Sequence, residues 1–174
     1  MGSGQNGSMQ EIHTRPMTQA EFDAIRARMA KEYAAEHVAA GDWRPDEAEA
    51  RAEQETDSLL PHGVATSGML MLVAESPGGD FIGFVWVALE RRPGGGGGAW
   101  IYDIEVRPEH RGKGCGRALL AAAEQEVASH GTDSIGLNVF GGNVVARSLY
   151  ESAGDDVTAM QMKKPLTIGG GSDD

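Results

Sequence analysis

Between Val106 and Glu124 the chain reads VRPEHRGKGCGRALLAAAE. Gly112, Gly114 and Gly116 alternate with other residues, and Arg107, Arg111, Lys113 and Arg117 crowd them, with His110 alongside. Four of the fifteen Lys and Arg thus share one loop, in a chain whose 26 Asp and Glu give a net charge of −11. The β-branched and aromatic run AWIYDIEV (99–106) before the loop predicts a strand. Leu119, Leu120, Ala123 and Val127 after it predict a helix from Arg117 to about His130. The first N–H groups of a helix have no internal partner, and the helix dipole favours an anion in front of them. Glycine removes the Cβ that would hold a bulky anion off the backbone, and Arg and Lys add charge-assisted hydrogen bonds to phosphate oxygens. The chemistry is that of a diphosphate cradle.

Two familiar cradles do not fit. A P-loop needs Ser or Thr after its lysine, and Lys113 is followed by Gly114. A dinucleotide fingerprint needs a third glycine where Arg117 stands, and an acid closing the next strand, which SIGLNVF (134–140) lacks. Other residues invite chemistry too. Asp103 and Glu105 fall on one face of a strand otherwise apolar, where Asp is depleted, and a β-bulge there would change which of them faces a cleft. Asn143 and Tyr150 are seven residues apart and share a helix face. Glu32, Glu36 and Glu55 on the first two predicted helices are candidates for holding a cationic substrate.

The elements that must position these groups follow from periodicity. EIHTRPMT (11–18) reads as a first strand, and Phe22, Ile25, Met29 and Tyr33 mark an amphipathic helix that Gly41 ends. Pro45, Asp46 and Glu47 open a second helix, which Pro61 closes. GMLMLVAE (68–75) and DFIGFVWVALE (80–90), joined by SPGGD, form a hairpin. RRPGGGGG (91–98) reads as a mobile loop. After the glycine loop and its helix come the strand SIGLNVF, a helix ended by Gly154, and a last strand VTAMQMKK (157–164). The order β-α-α-β-β-β-α-β-α-β predicts a mixed α/β fold, with helices on both faces of one sheet. Residues 1–9 read as an expression scar, 10–165 as one domain and 166–174 as a flexible tail.

Composition narrows the partners. The acidic balance argues against nucleic acid and favours cationic small molecules. No signal peptide is visible, and no apolar run approaches the roughly 20 residues that span a bilayer. The single cysteine, Cys115, fits a reducing cytoplasm, and no histidine pairs with another ligand at metal-binding spacing. Exposed strand edges allow a homodimer.

VRPEHRGKGCGRALL resembles the acetyl-CoA-binding motif of the GNAT superfamily of N-acetyltransferases, R-x-x-G-x-G/A after a V-x-P strand end, with Arg111, Gly114 and Gly116 at its fixed positions. NVVARSLYESAG resembles the superfamily's second motif, N-x-x-A-x-x-x-Y-x-x-x-G, and Asn143, Ala146, Tyr150 and Gly154 fill every position. The resemblance implies a mostly antiparallel sheet that splays between the strand ending at Val106 and SIGLNVF. It places the pantetheine arm of acetyl-CoA there, paired near Glu105 and Val106, and the diphosphate on the backbone of Arg111, Gly112, Lys113, Gly114, Cys115, Gly116 and Arg117. Asn138 and Asn143 join the cofactor-binding set.

The implied reaction moves an acetyl group directly to a primary amine of a small molecule or peptide, with no metal and no membrane. It needs a base for the amine, a donor for the carbonyl oxygen and an acid for the departing thiolate. The resemblance puts Tyr150 beside the sulfur as the acid and Val106 N–H as the oxyanion donor. Asp103 matches the position where many members carry an acid; Glu105 stands where an apolar residue is commoner. The base is either carboxylate, or a water leading to one. Cys115 replaces a larger apolar residue and reads as a small filler. Asp155 and Asp156 follow Gly154 where an aromatic is usual. LLPHGVATSG, with His62, borders the acceptor site. The alternative function is a non-catalytic acyl-CoA-binding module that regulates a partner.

Overall fold

The computed structural model describes residues 10–90 and 97–164. The expected scar, the tail and most of the glycine loop at 91–98 lie outside the described residues. In chain order the elements are β1 (His13–Pro16), α1 (Gln19–Ala39), α2 (Ala48–Leu59), β2 (Met69–Glu75), β3 (Phe81–Ala88), β4 (Ala99–Val106), α3 (Cys115–Ser129), β5 (Ile135–Leu137) and α4 (Val144–Ala153). Short 3₁₀ turns occupy Gly63–Ala65 and Pro108–His110. The sheet order is β1-β2-β3-β4-β5; the first four strands are antiparallel and β5 joins β4 in parallel. This is the mixed sheet that the element order predicts.

Alternation divides the core. Leu72, Ala74, Val85 and Val87 face α3, where Leu119, Leu120, Ala123 and Val127 meet them. Met71, Val73, Phe84 and Trp86 face the other way, onto Phe22 and Met29 of α1. Thr18 caps α1 reciprocally: its hydroxyl accepts from Glu21 N–H at 3.3 Å, and Thr18 N–H donates to the Glu21 carboxylate at 2.9 Å. Ala30 and Ala34 then turn to α2, packing with Trp43, Ala48 and Ala52. Tyr33, expected on the buried stripe, is 38% exposed, because small residues rather than aromatics let the two helices approach. Pro45 lies in the turn before α2 rather than in its first helical turn.

One expected element is corrected. Residues 157–164 form no strand, and Val157, Met160 and Met162 are exposed. The apolar positions change phase between Ala159 and Met160, so no single face of a strand could be buried. The neighbouring β5 also offers only three residues of edge.

The fold opens where the resemblance implies. β5 pairs with β4 only at Ala99, Trp100 and Ile101, so the edge of β4 from Tyr102 to Val106 has no strand beside it. The N–H of Arg107 donates to the Ile82 carbonyl at 2.9 Å, facing β3. By alternation the N–H and C=O of Val106 face away, into the opening.

Candidate active site

The cradle forms as the glycines require. Gly112 and Gly114 have φ of 72° and 80°, left-handed values that favour glycine, and Gly114 is the N-cap of α3 with no side-chain cap bond. The first N–H groups of α3 are therefore presented without a side-chain cap. Gly116 serves packing: a Cβ there would meet Leu149 Cδ2 of α4 at 3.3 Å. These features fit a bound diphosphate.

The cations divide. Arg111 folds back so that its Nε donates to the Val106 carbonyl at 2.8 Å, closing one of the backbone groups that faces the opening. Arg117 donates to Ser152 O at 2.9 Å and Ser152 Oγ at 2.5 Å, tying α3 to α4 rather than facing the mouth. Arg107 lies over the Phe81 ring, 5.4 Å from its centroid. Lys113 is exposed, with no ion pair among the described residues. Cys115 is 1% exposed, its Sγ is 3.4 Å from Gln10 Oε1, and burial pushes its thiol up; this suits a filler. Asn143 caps α4, its Oδ1 accepting from Ala146 N–H at 3.1 Å, while Asn138 is exposed just beyond β5.

Across the opening, a β-bulge decides where the carboxylates point. Ala99 and Ile101 face the α3 core, and unbroken alternation would drive Asp103 and Glu105 into that apolar layer. The register instead steps from Val87↔Ile101 to Trp86↔Asp103, leaving Tyr102 as the extra residue. The phase flips, Ile104 and Val106 take the core positions, and Glu105 turns to α1, where Arg28 NH1 meets its carboxylate. Asp103 shares that side. Burial pushes its carboxyl up to about 7, helped by Glu105, Glu32 and Glu36 and opposed by Arg28. Arg28, Glu32 and Glu36 form one i, i+4 row on α1. Partial burial, then Glu32, raises the Glu36 carboxyl.

Tyr150 reaches the same place from α4. It is 8% exposed, and burial first, then Asp103, Asp155 and Glu36, push its hydroxyl up to about 12. Asp155 takes no aromatic position behind it: its N–H and that of Gly154 both donate to the Tyr150 carbonyl at 3.1 Å, finishing the helix. Glu55 is engaged on α2, 3.1 Å from Arg51, and His62 is exposed in its turn. Aromatics join α1, the turn before α2 and the segment after β5. His37 stacks on Trp43 at 4.0 Å, Phe140 meets His37 edge-on at 5.1 Å, and Arg51 covers Trp43 at 4.4 Å. Arg28, Tyr102 and this aromatic clamp escaped the sequence reading. The i, i+4 spacing of Arg28 to Glu32 was the one signal available; the clamp joins segments too distant for any local pattern.

The acetyltransferase (GNAT) family model matches residues 27–154. The uncharacterized N-acetyltransferase YycN of Bacillus subtilis (strain 168) is 35% identical over 156 residues, spanning 89% of this chain and 99% of that one. The YycN crystal structure superposes with a TM-score of 0.83 at 34% identity, over 91% of this chain and 100% of the other. A mycothiol acetyltransferase of Kytococcus sedentarius is 26% identical over 152 residues, 87% of this chain, which spans about half of that longer relative (48%). Members of this family use acetyl-CoA. Among the described residues no helix is long and apolar enough to cross a membrane, and no cluster of side chains could hold a metal ion. The chain belongs to the GNAT family of acetyltransferases and is an acyltransferase.

Proposed function

We propose that this protein transfers the acetyl group of acetyl-CoA directly to a primary amine of a cationic small molecule or peptide. The observation that carries the reading is the open edge of β4 beside the uncapped start of α3, with the buried Tyr150 hydroxyl and the Asp103 carboxyl close enough there to influence each other's charge. The diphosphate rests on the backbone from Arg111 to Arg117, and the thioester carbonyl lies against Val106 N–H. An alkyl amine arrives mostly protonated at neutral pH, its pKa being near 10. Asp103, raised to about 7, accepts that proton directly or through water. The amine nitrogen then bonds to the acetyl carbon while the carbon–sulfur bond breaks. Tyr150, raised to about 12, keeps its proton through the physiological range and donates it to the leaving thiolate, and the second proton shed by the nitrogen as the amide forms restores the tyrosine hydroxyl.

The acidic wall supports a cationic acceptor. Arg28 pairs with Glu32 and Glu105, while Glu32, Glu36 and Glu105 all bear on Asp103, so that carboxylates outnumber the cation along this wall. Charge of one sign in a cleft raises the local concentration of oppositely charged ligands. Thiol release from acetyl-CoA across a library of amines tests the reading, with cationic amines expected to give the highest kcat/KM. Binding of acetyl-CoA without CoA release on any amine would favour a regulatory binding module instead.

A further inference from the structure

We propose that Gly83 of β3 is a positioning residue for the transfer reaction: its missing side chain lets the Glu105–Val106 peptide tilt, so that Val106 N–H faces the acyl carbonyl. This deepens the proposed function and rests on it. Gly83 is a buried glycine inside an apolar strand, where glycine weakens the strand and marks a close backbone approach. Its backbone does not explain it, since Gly83 is absent from the described glycines with positive φ. Its neighbour does. A Cβ at Gly83 would stand 2.1 Å from the Glu105 carbonyl oxygen and 3.1 Å from both Glu105 C and Val106 Cα. Those are backbone atoms, so no rotamer change relieves the overlap.

The Glu105 carbonyl therefore occupies the space where a side chain at 83 would begin. That carbonyl and the Val106 N–H belong to one rigid peptide and point in opposite directions. Alternation already aims that N–H at the edge of β4 that β5 leaves open; leaning the carbonyl onto Gly83 turns the peptide about the strand axis and so sets the angle at which the N–H leaves the sheet plane. The site is held on its other flank as well: the β2–β3 register slips between Ala74 and Glu75, opposite residues 81–83, and the β4 bulge lies three residues away at Tyr102–Asp103. Gly136 supplies a contrast in the same sheet. A Cβ there meets only the Trp100 ring, at 3.1 Å, a side chain rather than a peptide.

Gly83→Ala is compared with Gly136→Ala and wild type, using acetyl-CoA and the best amine of the library. Loss of one oxyanion donor typically costs roughly 10² to 10³ in kcat. Gly83→Ala is expected to lose about that much, with the acceptor KM and the CoA Kd within about threefold, while Gly136→Ala keeps its kcat. A methyl-ketone analogue of acetyl-CoA, with CH2 in place of sulfur, provides a readout that needs no turnover. In ¹⁵N-valine-labelled wild type it should shift the Val106 amide proton downfield relative to CoA, and Gly83→Ala should lose that shift while still binding the analogue. A kcat for Gly83→Ala within twofold of wild type, or an unchanged Val106 shift in the variant, overturns the proposal. If Gly83→Ala does not fold while Gly136→Ala does, the clash is with the peptide rather than with alanine in the sheet, and a ketone-specific Val106 shift in wild type then supports the proposal; identical spectra with ketone and CoA, or failure of both variants to fold, overturn it. A wild type that shifts Val106 but acetylates no amine removes the transfer reading while leaving the peptide geometry standing.

Discussion

The two walls of the cleft are made of different material. The side proposed to hold the diphosphate is one continuous stretch, residues 106–117, and it offers backbone N–H groups at left-handed glycines and an uncapped helix start. The side proposed to face the acceptor is assembled from α1, β4 and α4, and presents side chains whose properties exist only after folding: a carboxyl near 7, a hydroxyl near 12, an ion pair between Arg28 and Glu105. A backbone site needs the right local conformation and little else. A side-chain site needs burial, neighbours and register. The first should therefore respond to substitutions through affinity for the cofactor, and the second through kcat, pH dependence and choice of amine.

The largest separation is expected from the acceptor side. Tyr150→Phe should lower kcat on the order of 10²-fold, with the acetyl-CoA Kd by calorimetry unchanged. Asp103→Asn should cost a similar factor and erase the limb of the kcat/KM profile that rises with pH through about 7. The same substitution carries a stability signature. Asp103 ionises near 3.8 in the unfolded chain and near 7 when folded, so the native state binds more protons between those values. Wild-type stability should thus fall relative to Asp103→Asn as pH rises from about 4 to 7, and level off above. Thermal midpoints across that range check the sign; an Asn variant that is less stable at pH 8 would show that the carboxylate is not held against its own burial.

Next comes the cradle. Gly114→Ala forces a Cβ onto a φ of 80°, costing about 1–2 kcal/mol locally. It should weaken acetyl-CoA binding roughly tenfold while leaving the kcat at saturating cofactor near wild type, the mirror image of Tyr150→Phe. Equal losses in kcat from both would dissolve the distinction between the walls. Arg28→Ala is smaller: it unmasks Glu105 and should lower KM for a cationic amine a few-fold at low salt, an effect that added salt removes. Cys115→Ala should be smallest, within about twofold in kcat/KM, because its buried thiol is packing rather than chemistry.

The same contrast explains what could be read in advance. The cradle was legible because glycine at a left-handed φ leaves a mark on the sequence itself, and Gly112, Gly114 and the start of α3 fall within a few residues of one another. The helix carrying Asn143 and Tyr150 was legible through their spacing, whereas the acid role of Tyr150 was only implied by the resemblance of the motif around it. That Asp103 and Glu105 share a face was legible, but the reason was not: without the extra residue at Tyr102 the two carboxylates would have entered the α3 core. Arg117 illustrates the opposite limit. A cation beside a phosphate cradle looks like a ligand, yet its guanidinium holds Ser152 across the α3–α4 packing. The strand expected at 157–164 failed because β-forming composition without a constant phase has no face to bury.

We propose that the start of α3 grips the diphosphate of coenzyme A. Titrating ¹⁵N-labelled protein with CoA, and following the backbone amides, tests it most directly. Saturable shifts concentrated on residues 111–117 are expected. Saturable shifts centred elsewhere, or no binding at all, would contradict it.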